Sequence, residues 1–368
     1  MQVNVLDVGD GGCSVFRCPF DSCFPSASVV DCGGKKGAGD SLWKHLQVTG
    51  GTLERMVVTH FDRDHWFGFR RVADLLDDPV SVELIYPRIP RIDESATHLE
   101  AGYLALISTA HGTSGVRALD LVRRWERNGH TLSVKRVARG DNFEMACEDW
   151  EVLWPPRVVG PTISNAISNR LRELVEFADE LADREYPALK NNLEEAYEVL
   201  EGRYPSIEDA QDQYDSSFQS ESHNDVIDDA PGSCHALEIR RDPNTDQKVF
   251  PDWAVKRARD LAKRLGKLNN YFSLVAHKKV PSANDVLVTG DIEGSALNSL
   301  ISDGRLRARY DLVLAPHHGT HEIPDGFPES DVCIAQLGGK RHADNWQKKH
   351  LPSHGRTCFS TRGSMEFR

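Results

Sequence analysis

Positions 60–65 of the run Thr59-His60-Phe61-Asp62-Arg63-Asp64-His65 hold two imidazoles and two carboxylates, all able to bind a divalent metal. The run follows Leu53–Thr59 (LERMVVT), an apolar stretch expected to form a strand that delivers it into a loop, where catalytic groups are commonly carried. In a loop, His60 and Asp62 can point at one ion while Asp64 and His65 point at a second. Two ions about 3.5–4 Å apart can clamp the attacking and the leaving oxygen of a displacement. A solvated turn of acid–base pairs is the competing reading, and the flanking Trp66 and Phe67 argue against it.

Two later segments repeat the arrangement of an apolar strand ending in ligand types. Val286-Leu287-Val288-Thr289-Gly290-Asp291 delivers one carboxylate, with Gly290 permitting close backbone approach. Alone, Asp291 would suit the N-cap of the helix-like IEGSALNSLI; beside the first segment, a carboxylate bridging two ions is the better reading. Leu312-Val313-Leu314-Ala315-Pro316-His317-His318-Gly319-Thr320-His321 ends in three imidazoles.

The elements that must position these groups form two sheet-like arms around a helical middle. In the first arm, apolar runs at Val3–Val8, Val15–Phe16 and Val29–Val30, separated by Gly and Asp, predict strands and tight turns. Helices are expected at 40–48, near 68–77, and across 95–128 with a Gly-containing break at 112–115. Strands are expected at 80–86, at Val134–Val137, at Phe143 and at Val152–Trp154, stopped by Pro155-Pro156. Stripes of Ile167, Leu171, Leu174, Val175, Ala178 and Leu181, then of Leu189, Leu193, Ala196, Tyr197 and Leu200, predict two helices separated at Pro187. Residues 252–266, with Trp253, Leu261 and Leu265, predict another. Strand character returns at Phe272–Ala276, Val286–Thr289, Leu312–Ala315 and Val332–Leu337. The division expected is therefore a sheet-rich domain of 1–156 and 268–368, with a largely helical insertion at 157–267. Within the insertion, 201–229 carries nine acidic residues and a single Arg and reads as a loop. No internal repeat is evident.

Composition bounds the function. Of 368 residues, 39% are hydrophobic and 27% charged, which suits a packed core and excludes a disordered chain. The net charge of −12 argues against a broad basic surface coating nucleic acid, though not against a local metal-centred phosphate site. No run of about 20 apolar residues exists to span a bilayer, and MQVNVLDVGD lacks the features of an export signal. A cytoplasmic protein without membrane contact is expected. Cysteines stand at 13, 18, 23, 32, 147, 234, 333 and 358. Lacking a C-x-x-C pair, they read as reduced, buried thiols rather than a zinc ribbon.

LDVGDGG at 6–12, DCGG at 31–34, THFDRDH at 59–65, VTGD at 288–291 and APHHGT at 315–320 together resemble the metallo-β-lactamase fold. More narrowly, they resemble the ComEC-like hydrolase domain of DNA-uptake proteins. VLWPP at 152–156, the Asn270–Val275 segment and the closing TRGSMEF at 361–367 are also similar to that branch. The resemblance covers about two-thirds of the chain and leaves out the insertion. It implies an α/β fold, an αββα sandwich, with a dinuclear metal centre. Its ligands would be His60, Asp62, Asp64, His65, bridging Asp291, and either His318 or His317. Asp31 would orient the metal loop, with Asn270 and Ser273 beside it. The chain departs from the pattern at Asp62 and Asn270, where known members carry imidazoles. A site richer in oxygen tilts preference from Zn²⁺ toward Mn²⁺ or Mg²⁺. His235 and His277 could replace a missing ligand, but read as ordinary surface histidines.

The chemistry implied is hydrolysis by a metal-activated water that Asp64 orients. Whichever of His317 and His318 is not a ligand would donate a hydrogen bond to the reacting oxygens. Arg63, Arg70, Arg71 and Thr320 are candidate contacts to substrate phosphates. The leading expectation is a nuclease or phosphodiesterase acting on DNA or RNA, partner-regulated as in bacterial defence. The alternatives are a hydrolase of small esters or lactones, or an interaction module with a weakened site. The insertion could cover the cleft, pair with a second copy or recruit a protein partner, with the acidic loop as gate.

Overall fold

The computed structural model describes residues 1–18, 26–34, 37–89, 99–111, 117–200, 250–281, 284–321, 323–337, 354–359 and 363–367. The acidic run at 201–229 and His235 lie outside them, as do Cys23 and Cys234. The chain divides into two units. One comprises Met1–Pro90, Asp120–Pro161 and Gly266–Arg368; the other comprises Arg91–Leu119 and Thr162–Leu265.

The chain path begins with β1 (Gln2–Val5), β2 (Cys13–Arg17) and β3 (Ser26–Cys32), then α1 (Ala38–Thr49) and β4 (Thr52–Val57). Next come α2 (Arg63–Trp66), α3 (Gly68–Leu75), β5 (Ser81–Pro87), α4 (Leu99–Ala110), α5 (Arg117–Arg127) and β6 (Thr131–Val137). They are followed by β7 (Asn142–Met145), β8 (Glu148–Trp154), α6 (Pro161–Asp183), α7 (Ala188–Leu200) and α8 (Asp252–Tyr271). The chain closes with β9 (Val275–Lys278), β10 (Val286–Val288), α9 (Gly294–Ser302), β11 (Arg309–Leu314), β12 (Glu329–Ala335), β13 (His354–Phe359) and β14 (Met365–Phe367).

The described strands form two seven-stranded mixed sheets, ordered β14-β1-β2-β3-β4-β5-β6 and β13-β12-β11-β10-β9-β8-β7. Each follows the same plan. Pairing is antiparallel up to β3 in the first sheet and up to β10 in the second, and parallel beyond. The plan recurs although no sequence repeat announces it. Inward side chains from both sheets, among them Val5, Phe16, Val57, Trp150, Val286 and Leu312, share one buried core. Outward residues of the second sheet (Leu287, Tyr310, Val313) pack instead with Ala296, Leu297 and Leu300 of α9. Of the strands buried along their whole length, β10 reads as an unbroken apolar run, whereas β2 and β9 carry polar or charged residues as well.

In the helical unit, α6 buries Ile167, Leu171, Leu174, Ala178 and Leu181, as the stripe predicts. Val175 is exposed, and Phe177 takes a buried place one turn beyond Leu174. Gly102 of α4 lies so close to α6 that a Cβ there would stand 2.6 Å from the Leu174 methyl. The helix α4 thus clusters with α6 and α7, whereas the sequence division leaves 91–119 with the sheets. Arg264 pairs with Glu173 at 2.6 Å, joining α8 to α6. Trp253, in the first turn of α8, is 38% exposed and lies edge-on to Phe177. No described helix is long and apolar enough to cross a membrane.

The cysteines resolved here carry free thiols. Cys13, Cys32 and Cys333 are buried, but Cys147 is exposed, contrary to the uniform burial expected.

His277, expected at the surface, is buried on β9 with its Nδ1 2.8 Å from the Tyr310 hydroxyl. That hydroxyl accepts the Arg307 N–H, so its own proton is free to go to a neutral imidazole. Burial, with Arg307 nearby, lowers the His277 pKa to about 4. The unfolded chain therefore binds a proton below pH 6.5 that the folded chain refuses until about 4, and stability falls as pH drops through that window. Between pH 6.5 and 5 this one group should cost about 2 kcal/mol. His277→Gln should lose less stability than the parent between pH 7 and 5 when urea midpoints are compared.

Candidate metal centre

Every ligand-bearing segment leaves the carboxyl end of a strand at or next to the point where its sheet changes from antiparallel to parallel. Asp31 ends β3, and positions 59–65 follow β4. In the second sheet Asp291 follows β10, and His317-His318 follow β11. The two sheets thus contribute equivalent strand ends, one carboxylate and one imidazole-bearing turn each.

The loop after β4 is held from below by Asp31. Its carboxylate accepts the Thr59 N–H at 2.8 Å, the Thr59 hydroxyl at 2.9 Å and the His65 Nδ1–H at 2.8 Å. Glycines let the backbone close in: Gly12 N–H donates to the Asp64 carbonyl at 3.1 Å, and Gly33 N–H to the Gly12 carbonyl at 3.0 Å. A Cβ on Gly33 would lie 2.1 Å from the Asp64 carbonyl carbon. The LDVGDGG and DCGG segments therefore act as a clamp on α2, which carries Asp64 and His65. Trp66 donates its indole N–H to the Phe61 carbonyl at 3.0 Å, fixing the other side of the turn.

Asp291 sits at the centre. Its N–H donates to the Ser273 hydroxyl at 3.0 Å, and Gly290 turns the chain with φ 52. One carboxylate oxygen, Oδ1, lies 3.3 Å from His65 Nε2 and 3.5 Å from His318 Nε2. The other, Oδ2, lies 3.7 Å from His60 Nε2 and 3.8 Å from His317 Nε2. His318 Nε2 is also 3.4 Å from Asp64 Oδ2 and 3.0 Å from His65 Nε2, and His60 Nε2 is 3.4 Å from Asp62 Oδ2. Tetrahedral ligand bonds of about 2.0–2.1 Å place neighbouring ligand atoms roughly 3.3 Å apart, so these separations suit a shared cation.

Two further observations fit a metal. His60 Nε2 and Asp291 Oδ1 are buried without any hydrogen-bond partner, a costly state for polar atoms. Moreover, His60, His65 and His317 each face a neighbour through Nδ1 (Thr59, Asp31 and Glu293), which turns their Nε2 atoms to the centre. Outer partners of this kind fix the tautomer of metal-binding histidines. The charges point the same way. Partial desolvation opposes ionisation of Asp64, and burial that of Asp291, yet the surrounding imidazoles hold both well below the ordinary carboxylate range. Burial likewise opposes a charged His65, and Asp291 and Asp31 overcome it, raising its pKa well above normal. The cluster is a cage of carboxylates that favours positive charge.

The residues expected from sequence thus meet here: Asp31, His60, Asp62, Asp64, His65, Ser273, Asp291, His317 and His318. Asn270 joins them from the last turn of α8 rather than from a strand, with its Oδ1 buried and unpartnered. Others take different parts. Thr320 donates its hydroxyl to the His317 carbonyl at 2.7 Å, bracing the turn. Arg63 stacks its guanidinium 4.1 Å from the Phe67 ring centroid, with Arg70 4.9 Å from the same ring. Arg71 pairs with Asp40 at 3.1 Å. His277 stands on β9 with Tyr310, outside the cluster.

Sequence reading missed two participants. Asn269 donates to Asp62 Oδ1 at 3.0 Å, and Glu293 accepts from His317 Nδ1 at 2.9 Å. The only local signal was an acidic residue two places after Asp291 and a doubled Asn.

Compared with known proteins, the chain matches no protein-family model and no curated sequence.

Two substitutions test the clamp. Asp31→Asn should weaken Mn²⁺ or Zn²⁺ binding about 10–100-fold by calorimetry, as loss of an outer partner does. Gly33→Ala should cost about 1–3 kcal/mol in thermal stability through overpacking and loosen metal binding with it.

Proposed function

We propose that the protein is a metal-dependent hydrolase with a metallo-β-lactamase-type αββα sandwich, cleaving phosphodiester bonds in DNA or RNA. The observation that carries this reading is the convergence of four imidazoles, from the turns after β4 and β11, on the two oxygens of Asp291 at the end of β10. His60, Asp62, Asp64, His65, Asp291 and His318 would hold two divalent ions, Mn²⁺ or Zn²⁺, with Mg²⁺ also compatible with the oxygen donors. When bound, such ions lower the pKa of water toward 7 and neutralise charge developing on a phosphoryl oxygen.

The chain's own residues supply orientation. His60, His65, Asp291 and His318 are buried, whereas the Asp64 side chain is 43% exposed and marks the open side of the site. Asp64 is therefore placed to accept a hydrogen bond from an attacking water and orient it, the proton being acidified by the ions rather than drawn off by this weakly basic carboxylate. Arg63, between the two acidic members of the turn, presents a cation stacked on Phe67 beside that opening. A guanidinium on an aromatic ring offers a polyanionic, base-bearing substrate both charge and a stacking surface.

The test is a hydrolysis screen on single- and double-stranded DNA, RNA and small esters, with EDTA-stripped protein reloaded with Mn²⁺, Zn²⁺ or Mg²⁺. Expected is metal-dependent nucleic-acid cleavage, reduced about 10²–10⁴-fold by Asp64→Ala. Ester turnover without any phosphodiester cleavage would overturn the substrate class, and protein that binds no metal would overturn the mechanism.

A further inference from the structure

The adjacent imidazoles after β11 occupy an unusual backbone. His317 (φ 48, ψ 50) and His318 (φ 53, ψ 12) are consecutive non-glycine residues in the left-handed region. That conformation costs about 1–2 kcal/mol per residue and persists where surroundings enforce it. Here the His317 N–H donates to the Gly290 carbonyl at 2.9 Å, and the His317 carbonyl accepts both the N–H and the hydroxyl of Thr320. The turn is thereby tied to the residue before Asp291. Its effect is to set the two rings nearly perpendicular, at 82°, with their Nε2 atoms facing different oxygens of one carboxylate.

We propose that His317 and His318 bind different ions: His318 joins Asp64, His65 and Asp291 Oδ1, while His317 joins His60, Asp62 and Asp291 Oδ2, with Glu293 as its positioning residue. This assignment rests on the metal-centre reading and replaces the hydrogen-bond donor role expected of one member of the pair. His317 then supplies the nitrogen donor that Asn270 cannot. Glu293 accepts the His317 Nδ1–H, which leaves the Nε2 lone pair directed at the first site. His321 lies 3.4 Å from the same Glu293 oxygen with its ring 4.1 Å from that of His317, so Glu293, His317 and His321 form a competing ligand group, and the assignment requires that His321, which is largely exposed, stay outside the first site.

Metal counting on the full chain tests this, using Mn²⁺ titration followed by calorimetry and electron paramagnetic resonance. The parent should bind two Mn²⁺ with the broadened signal of a coupled pair. His317→Gly, which suits the left-handed backbone, should keep one tight ion and show an isolated Mn²⁺ signal. His318→Gly should lose the other. Glu293→Gln should weaken only one of the two binding steps, about 10–100-fold, and His321→Ala should change neither. Two coupled ions of undiminished affinity in His317→Gly would overturn the proposal, as would loss of an ion in His321→Ala. A parent that binds no metal would instead overturn the hydrolase reading itself.

Discussion

A buried carboxylate surrounded by imidazole nitrogens is the constraint on which the rest of this structure depends. Asp291 is 4% exposed, and its Oδ1 has no hydrogen-bond donor. Removing such a charge from water costs several kcal/mol unless a positive partner is supplied. Protons could supply it only in part. His65 and His318 face each other through Nε2 at 3.0 Å, so one proton at most fits between them. His60 meanwhile holds its Nε2 in the interior near Asp62 and Asp291 but makes no hydrogen bond with either. Divalent cations would satisfy all of these atoms at once, because each imidazole could then present a lone pair and each carboxylate oxygen its charge.

The fold meets this demand by using one plan twice. In each sheet an antiparallel half meets a parallel half, and the strands at the change of direction end at the same level. Loops leaving those ends need not be long to meet. Placement is then refined by backbone contacts that tolerate no side chain, as at Gly33 against Asp64 and Gly290 against Thr59. Thr59 illustrates how closely the two sheets are tied: its carbonyl accepts the Leu274 N–H at 2.8 Å while its hydroxyl serves Asp31. A shift in either sheet would be felt at the metal turn.

What could be read from sequence follows from how local each signal is. Ligand types at the end of an apolar strand are visible without tertiary knowledge, and so 59–65, 286–291 and 312–321 stood out. The helices of the middle region were legible from 3.6-residue spacing, although periodicity alone could not choose Phe177 over Val175 for the buried face. Glu293 and Asn269 were invisible because their importance lies in what they touch across the fold. The start of β9 was misplaced by three residues since Phe272, Ser273 and Leu274, although buried, lie between the end of α8 and the strand. Burial without regular pairing looks like a strand in sequence. His277 looked like a surface residue because nothing local announces the Tyr310 hydroxyl that keeps it neutral.

Charge also bears on the order of events at such a site. Asp31, Asp62, Asp64, Asp291 and Glu293 converge in a chain whose net charge is already −12. A phosphodiester approaching the bare cluster would meet carboxylates at close range, and the repulsion at a few Å in a partly desolvated cleft amounts to several kcal/mol. Arg63, exposed and stacked on Phe67, cannot offset that alone. On the proposed reading, loading of cations would therefore precede productive binding of an anionic substrate, because the same acidity that would draw the cations in would repel the substrate until they were present. On this argument the acidic composition is no obstacle to hydrolysis of nucleic acid. It would weaken phosphate binding to the metal-free cluster and leave recognition to a metal-loaded form.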